Sequence, residues 1–86
     1  MMRIFLLEDD AALGRGIVMA LTGPEASVTC RSTLAQAREV LAEERFDLLI
    51  LDINLPDGSG LDLLRQLRTE GSAAQRYSVV ERLRQE

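Results

Sequence analysis

"LLILDINLPDGSGLDLL", residues 48–64, sets an unbroken aliphatic run against an aspartate and then a Pro/Gly turn. A run of leucine and isoleucine without polar alternation is the pattern of a strand covered on both faces, as in a parallel sheet. The run ends on Asp52, and a carboxylate there has two readings. Aspartate is an ordinary strand-to-turn residue, and carboxylates at strand ends also build metal and phosphoryl sites. Pro56, Asp57, Gly58 and Gly60 read as turn chemistry, because proline fixes φ and glycine permits positive φ. From Gly60 to about Glu70 the leucines 61, 64 and 67 recur at helical spacing, which predicts a helix with those three facing inward.

The same alternation runs through the chain before this stretch. RIFLLE, residues 3–8, is a second apolar run and reads as the first strand. Asp10 can cap a helix over roughly 11–22, with Leu13, Ile17, Ala20 and Leu21 on one face and Gly23-Pro24 ending it. ASVTCR, residues 26–31, is short and β-branched, a second strand. Ser32 or Thr33 opens a helix to about Glu44 whose apolar positions are Leu34, Ala37, Val40 and Leu41. With FDLLILD, residues 46–52, as the third strand, the order is β-α-β-α-β-α. That order predicts an α/β fold with a parallel sheet, flanking helices and right-handed crossovers. In the flavodoxin-like strand order 2-1-3, strands one and three are neighbours, and ligands bind where their C-terminal ends open on the switch point. Glu8 and Asp9 then come beside Asp52.

The composition narrows the field. Eighty-six residues make one small domain near the lower size limit for a self-sufficient core. At 47% hydrophobic and 28% charged, the chain is too apolar for a disordered segment. It has no apolar run of membrane-spanning length, and acids follow the first apolar stretch where a signal peptide wants small residues. No membrane association is expected, and the location expected is cytoplasmic. With one cysteine, Cys30, and no histidine, there is no internal disulfide, zinc site or histidine-dependent triad. The net charge of −4 argues against a nucleic-acid surface, although Arg65, Arg68, Arg76, Arg82 and Arg84 make the last third locally basic.

Three look-alike motifs fail. Gly14 and Gly16 suggest a dinucleotide fingerprint, but Met19 stands where its third glycine belongs. The stretch from Asp52 resembles the start of an EF-hand, but Pro56 and Asp57 break its register and Leu63 replaces its bidentate acid. Ser59 lies between two glycines without the spacing of a nucleophile elbow.

Taken singly, Asp10 is a helix cap, Glu8 and Asp9 are acids favoured near a helix N-terminus, and Asp52 is a strand terminator. Their coincidence at the ends of adjacent strands carries the functional reading. Carboxylates so close repel one another, and a hard cation relieves the repulsion. Mg²⁺ suits an all-oxygen site with one or two carboxylates, water and a phosphate. Asp9 and Asp52 can bind it directly, the backbone carbonyl of Asn54 can complete the protein face, and Glu8 can act through a water. Asp52 can then serve as a carboxylate nucleophile toward phosphorus.

These residues resemble the receiver domain of bacterial two-component response regulators. RIFLLEDD matches the first strand with its acidic pair, and FDLLILDINLPDGSGLDLLRQLR matches the phosphoacceptor strand, its turn and the third helix. The wording is most similar to the OmpR-like subgroup, which carries a winged-helix DNA-binding domain. The resemblance implies that Asp52 accepts a phosphoryl group from a sensor histidine kinase, and that Glu8, Asp9, Asp52 and the Asn54 carbonyl hold Mg²⁺. It implies control of transcription, with DNA reached only through an effector domain that this chain lacks. A complete receiver continues into a fourth strand ending in Ser or Thr, a switch aromatic, an invariant lysine and two more helices. None is recognisable here, and the chain contains no lysine. The expectation is an incomplete receiver over 1–72, ending after the third helix, with doubtful switching, and a tail over 73–86 that is helical. Ser72 with Gln75, or Ser78 with Glu81, would cap that helix, and Tyr77, Val80, Leu83 and Arg84 would form its seam.

Such an ending leaves the third strand as an uncovered hydrophobic edge, which predicts a homo-oligomer, a dimer or larger. Two other function classes stay open. One is an oligomerising, non-signalling fragment with a vestigial acidic site. The other is a Mg²⁺-dependent phosphohydrolase of the haloacid-dehalogenase type, which needs a second aspartate two residues after the nucleophile where this chain has Asn54. The leading expectation is a phosphoacceptor and not an enzyme.

Overall fold

The computed structural model describes residues 1–69 and, for the backbone alone, 78–82. In chain order the elements are β1 (Met2–Leu7), α1 (Ala11–Leu21), β2 (Ala26–Arg31), α2 (Leu34–Glu43), β3 (Leu48–Asp52), β4 (Asn54–Leu55), β5 (Gly58–Ser59), α3 (Gly60–Thr69) and β6 (Ser78–Arg82). Side chains set the helix starts. Leu13 N–H donates to Asp10 Oδ1 at 3.0 Å, and Gln36 N–H donates to Thr33 Oγ1 at 3.1 Å, each satisfying an amide that the first turn leaves without a partner. At the far end of α1, the Thr22 N–H and hydroxyl both donate to the Val18 carbonyl, closing the helix before Gly23-Pro24.

β1 lies between β2 and β3, and all three are parallel, so the strand order is the 2-1-3 of a receiver-like sheet. Side-chain alternation gives the sheet two faces. Phe5, Leu7, Leu49 and Leu51 point to one face and pack with Leu34 and Ala37 of α2, Leu63 and Leu64 of α3, and Phe46 in one buried cluster. The rings of Phe5 and Phe46 meet at 5.4 Å, and the Arg3 guanidinium sits 4.9 Å over Phe46 while its other end pairs with Glu44. Ile4, Leu6 and Cys30 point to the other face, where α1 crosses closely enough that a Cβ on Gly14 would lie 3.4 Å from Cys30 Sγ.

The structure corrects four expectations. The apolar positions of α1 do not form a buried stripe. Gly14 is the buried residue of that helix, Ile17 is half-buried, and Leu13 at 39%, Ala20 and Leu21 at 36% are exposed, because no other helix among the described residues packs beside α1 on that face. In α3 Leu64 is buried and Leu67 packs against the core as the spacing predicts, Leu61 is half-buried, and Leu63, which the spacing of 61, 64 and 67 leaves out, is buried as well.

The tail is the third correction. Ser78–Arg82 is a strand, not a helix, and it pairs in parallel with β3 from Leu48↔Ser78 to Asp52↔Arg82. The outer edge of β3 offers a row of backbone donors and acceptors, and the β-branched pair Val79-Val80 suits a strand better than a helix. Ser72, Gln75, Tyr77, Leu83 and Arg84, invoked for the expected helix, lie outside the described residues. The fourth correction follows from the third. β3 is not an open edge, so the argument for oligomers through that edge loses its premise; the outer strands are β2 and β6.

Candidate functional site

β1 and β3 run side by side with Leu7 opposite Leu51, so Glu8, just past the end of β1, and Asp52, the last residue of β3, stand at the same end of the sheet. One carboxylate oxygen from each of Glu8, Asp9 and Asp52 lies within 4.8 Å of the other two. Asp52 has no exposed surface, Glu8 is 2% exposed, and Asp9 is half-buried at the rim. Two strand ends thus bring the adjacent pair Glu8 and Asp9 to an acid more than forty positions later in the chain.

Backbone amides hold this cluster in place. Asp10 N–H donates to Glu8 Oε2 at 3.0 Å, which ties the Glu8 carboxylate to the entry of α1. Asn54 N–H donates to Asp52 Oδ1 at 3.2 Å and orients that carboxylate from the loop that follows it. The Asp10 side chain is not among the three gathered acids and caps α1, as its position ahead of an apolar helix predicts. Glu8 N–H pairs with the Arg31 carbonyl, extending the β1–β2 ladder to the lip of the site.

The donor set is all oxygen, which suits a hard divalent cation. Metal–oxygen distances of about 2.1 Å put the ligands of an octahedral Mg²⁺ about 3.0 Å apart when adjacent and about 4.2 Å apart when opposite, so donors gathered within 4.8 Å must draw in to grip such an ion. Concentrated negative charge in a largely buried crevice also makes the site repel anions unless a cation is present.

Residues 54–59 form a two-stranded hairpin, with Asn54 opposite Ser59 and Leu55 opposite Gly58, and Pro56-Asp57 as its tip. Asp57 Oδ1 accepts the Leu34 N–H at 2.8 Å and Oδ2 accepts the Ala35 N–H at 3.1 Å, so the tip caps α2. These bonds, that to Leu34 first, hold the Asp57 carboxyl below the usual carboxylate range, aided by the charge of Arg38. Ser59 Oγ accepts the Leu61 N–H at 3.1 Å and serves the start of α3. Two glycines allow the fit. Gly58 has φ +145°, and a Cβ there would also meet Leu34 Cδ1 at 2.7 Å; a Cβ on Gly60 would meet the Asp52 carbonyl oxygen at 2.2 Å. The sequence reads Asp57 as a turn residue only. Its partners lie 22 and 23 positions away, so no local spacing signals the cap.

Beside the acids, α1 and the end of β2 enclose a groove of about 550 Å³ lined in part by Asp9, Gly14, Arg15, Val18, Cys30 and Arg31. Burial pushes the Cys30 thiol up, and the neighbouring Arg31 charge opposes that only in part.

Residues 4–82 match the model of the response regulator receiver domain family, a span that passes residue 72 and takes in β6. The response regulator protein PmrA of Pseudomonas aeruginosa is 47% identical over 70 residues, covering 81% of this chain and 32% of that protein. The transcriptional regulatory protein QseB of Escherichia coli O157:H7 is 40% identical over 70 residues, with the same two shares. The chain therefore spans about a third of the length of these curated relatives. A solved structure of the MaeR response regulator bound to beryllium trifluoride is similar with a TM-score of 0.77 at 28% identity, covering 100% of this chain and 70% of that one.

Proposed function

Because the chain belongs to the response regulator receiver domain family, we propose that it is the phosphoacceptor module of a two-component phosphorelay, with Asp52 taking the phosphoryl group from the phosphohistidine of a sensor histidine kinase. The observation that supports this most is the gathering of Glu8 and Asp9 around a buried Asp52 at the ends of β1 and β3.

In the transfer, an Asp52 carboxylate oxygen attacks phosphorus as the P–N bond to the histidine breaks. The electron pair of that bond returns to the imidazole, and Asp52 becomes an acyl phosphate. Asp9, Asp52 and the Asn54 carbonyl would hold Mg²⁺, with Glu8 acting through a water, and the bound ion would supply charge neutralisation for the incoming phosphoryl oxygens. The Asn54 N–H keeps the Asp52 carboxylate oriented, and the Asp10 N–H keeps Glu8 from turning away. Asp52 has no exposed surface, so the carboxylate that would carry the acyl phosphate stands away from bulk water.

In this reading the module accepts phosphate once per cycle and does not turn over as an enzyme, and it acts in the cytoplasm. Its output is control of transcription through an effector domain, as the regulator names of its relatives suggest. Incubation with Mg²⁺ and a small-molecule phosphodonor, followed by intact mass, tests the reading against an Asp52→Asn control. One added phosphoryl group that the control lacks is expected. No adduct on folded protein would overturn the phosphoacceptor role, and sustained hydrolysis of an aryl phosphate would favour the phosphohydrolase instead.

A further inference from the structure

The hairpin that follows Asp52 touches both ends of a problem the site must solve. One strand of it begins at Asn54, whose N–H orients Asp52 and whose carbonyl the proposed function gives to the cation. Its tip, three residues on, is fastened to α2, an element that contributes no residue to the carboxylate cluster. The fastening is two-pronged. Both oxygens of Asp57 are engaged by consecutive amides, which fixes the carboxylate plane as well as its position.

The surroundings show that the tip has little room. Gly58 carries a φ open to glycine and lies so close to Leu34, the buried first residue of α2, that a methyl group would collide with it. Gly60 N–H donates to the Ile53 carbonyl at 2.9 Å, closing the hairpin at its base against the residue after Asp52. The hairpin is therefore held at its base by the strand and at its tip by Asp57, and Asn54 lies between the two anchors.

We propose that Asp57 is a positioning residue: by binding the Leu34 and Ala35 amides it pins the hairpin to α2 and so fixes where the Asn54 carbonyl stands relative to Glu8, Asp9 and Asp52. This rests on the cation site of the proposed function. It adds that the affinity of the site is set partly from outside the carboxylate cluster, and that coupling is reciprocal: a bound cation steadies the start of α2.

The test uses the 86-residue chain and Mg²⁺ alone, titrated while backbone amide signals are followed by NMR. Asp57→Ala is compared with Thr33→Ala, which removes the other cap of the same helix, the Gln36 N–H acceptor, without touching the hairpin. Asp57→Asn keeps one carbonyl acceptor and is expected to recover part of the loss. Asp57→Ala should weaken Mg²⁺ binding by about fivefold or more, the lower range of site-to-site coupling, while Thr33→Ala changes it by less than about twofold. In the unaltered chain, saturating Mg²⁺ should slow hydrogen exchange at Leu34 and Ala35 more than at Gln36. Equal affinity losses in the two alanine variants, or no loss in Asp57→Ala when its amide spectrum shows a folded protein, would overturn the positioning role. If the unaltered chain bound no Mg²⁺, the cation site itself would fall and this inference with it, a result distinct from binding that ignores Asp57.

Discussion

Replacing Gly60 by alanine is the most exacting check on how tightly the loop is built around Asp52. The new Cβ would stand 2.2 Å from the Asp52 carbonyl oxygen and 3.1 Å from its carbon, both backbone atoms that cannot swing aside. Even weak C–H···O contacts keep about 3.3 Å between carbon and oxygen, so the two backbones must part by roughly 1 Å. Overpacking of this kind costs about 1–3 kcal/mol. The parting also breaks the Gly60 to Ile53 hydrogen bond, worth about 1 kcal/mol. Alanine's better helix propensity at the first residue of α3 returns up to about 1 kcal/mol. The net loss is about 2 kcal/mol, a large share of a total that for 86 residues is on the order of 4–13 kcal/mol. Gly16→Ala is the paired control, since Gly16 is exposed inside α1 with nothing within 4 Å of a new Cβ. It should stabilise by about 0.5–1 kcal/mol. Urea unfolding followed by far-ultraviolet circular dichroism reads both. With a slope of about 1 kcal/mol per molar, the midpoint should fall by about 2 M for Gly60→Ala and rise by about 0.5–1 M for Gly16→Ala. Midpoints that move together would refute the close approach.

Two further outcomes follow from burial and from the loop carboxylate. Leu63, 1% exposed in the core, should cost about 2–5 kcal/mol when cut to alanine, and Leu13, 39% exposed on α1, less than about 1 kcal/mol; equal losses in urea unfolding would mean that the α1 face is covered after all. Asp57 titrates below its ordinary range in the folded chain, so its ionised form favours folding. That contribution is present above the unfolded value of about pH 3.9 and is lost as pH falls through the lower folded value. Asp57→Asn should therefore unfold with a shallower acid dependence, and an unchanged acid limb would sink the assignment.

The alternation of strands and helices was open to sequence reasoning because each element carries its own signal. Residues 26–31 form β2 at the expected bounds, and Asp10 and Thr33 cap the helices they precede. Strand order then places Glu8 and Asp9 beside Asp52 without any knowledge of side-chain positions. What escaped depends on partners remote in the chain. Helical spacing identifies an apolar face on α1 but not whether anything packs on it, which is why Leu13, Ala20 and Leu21 stand exposed. Ser78 and Glu81 read as a capping pair, yet the backbone there goes to the free side of β3, a long-range pairing that outweighs local propensity. Asp57 looks like a turn residue from its neighbours and becomes a helix cap only in three dimensions.

The pairing of β3 with β6 also bears on how the chain is made. A ribosome adds about 5–20 residues per second. Ser78 lies 26 positions after Asp52, so the leucine-rich strand waits on the order of one to five seconds for its outer partner to be synthesised. During that interval its open side can capture the same strand of a neighbouring nascent chain on a polysome. Slow codons between these two segments would lengthen the exposure, and the yield of correctly assembled protein should then depend on translation speed as well as on the final energetics.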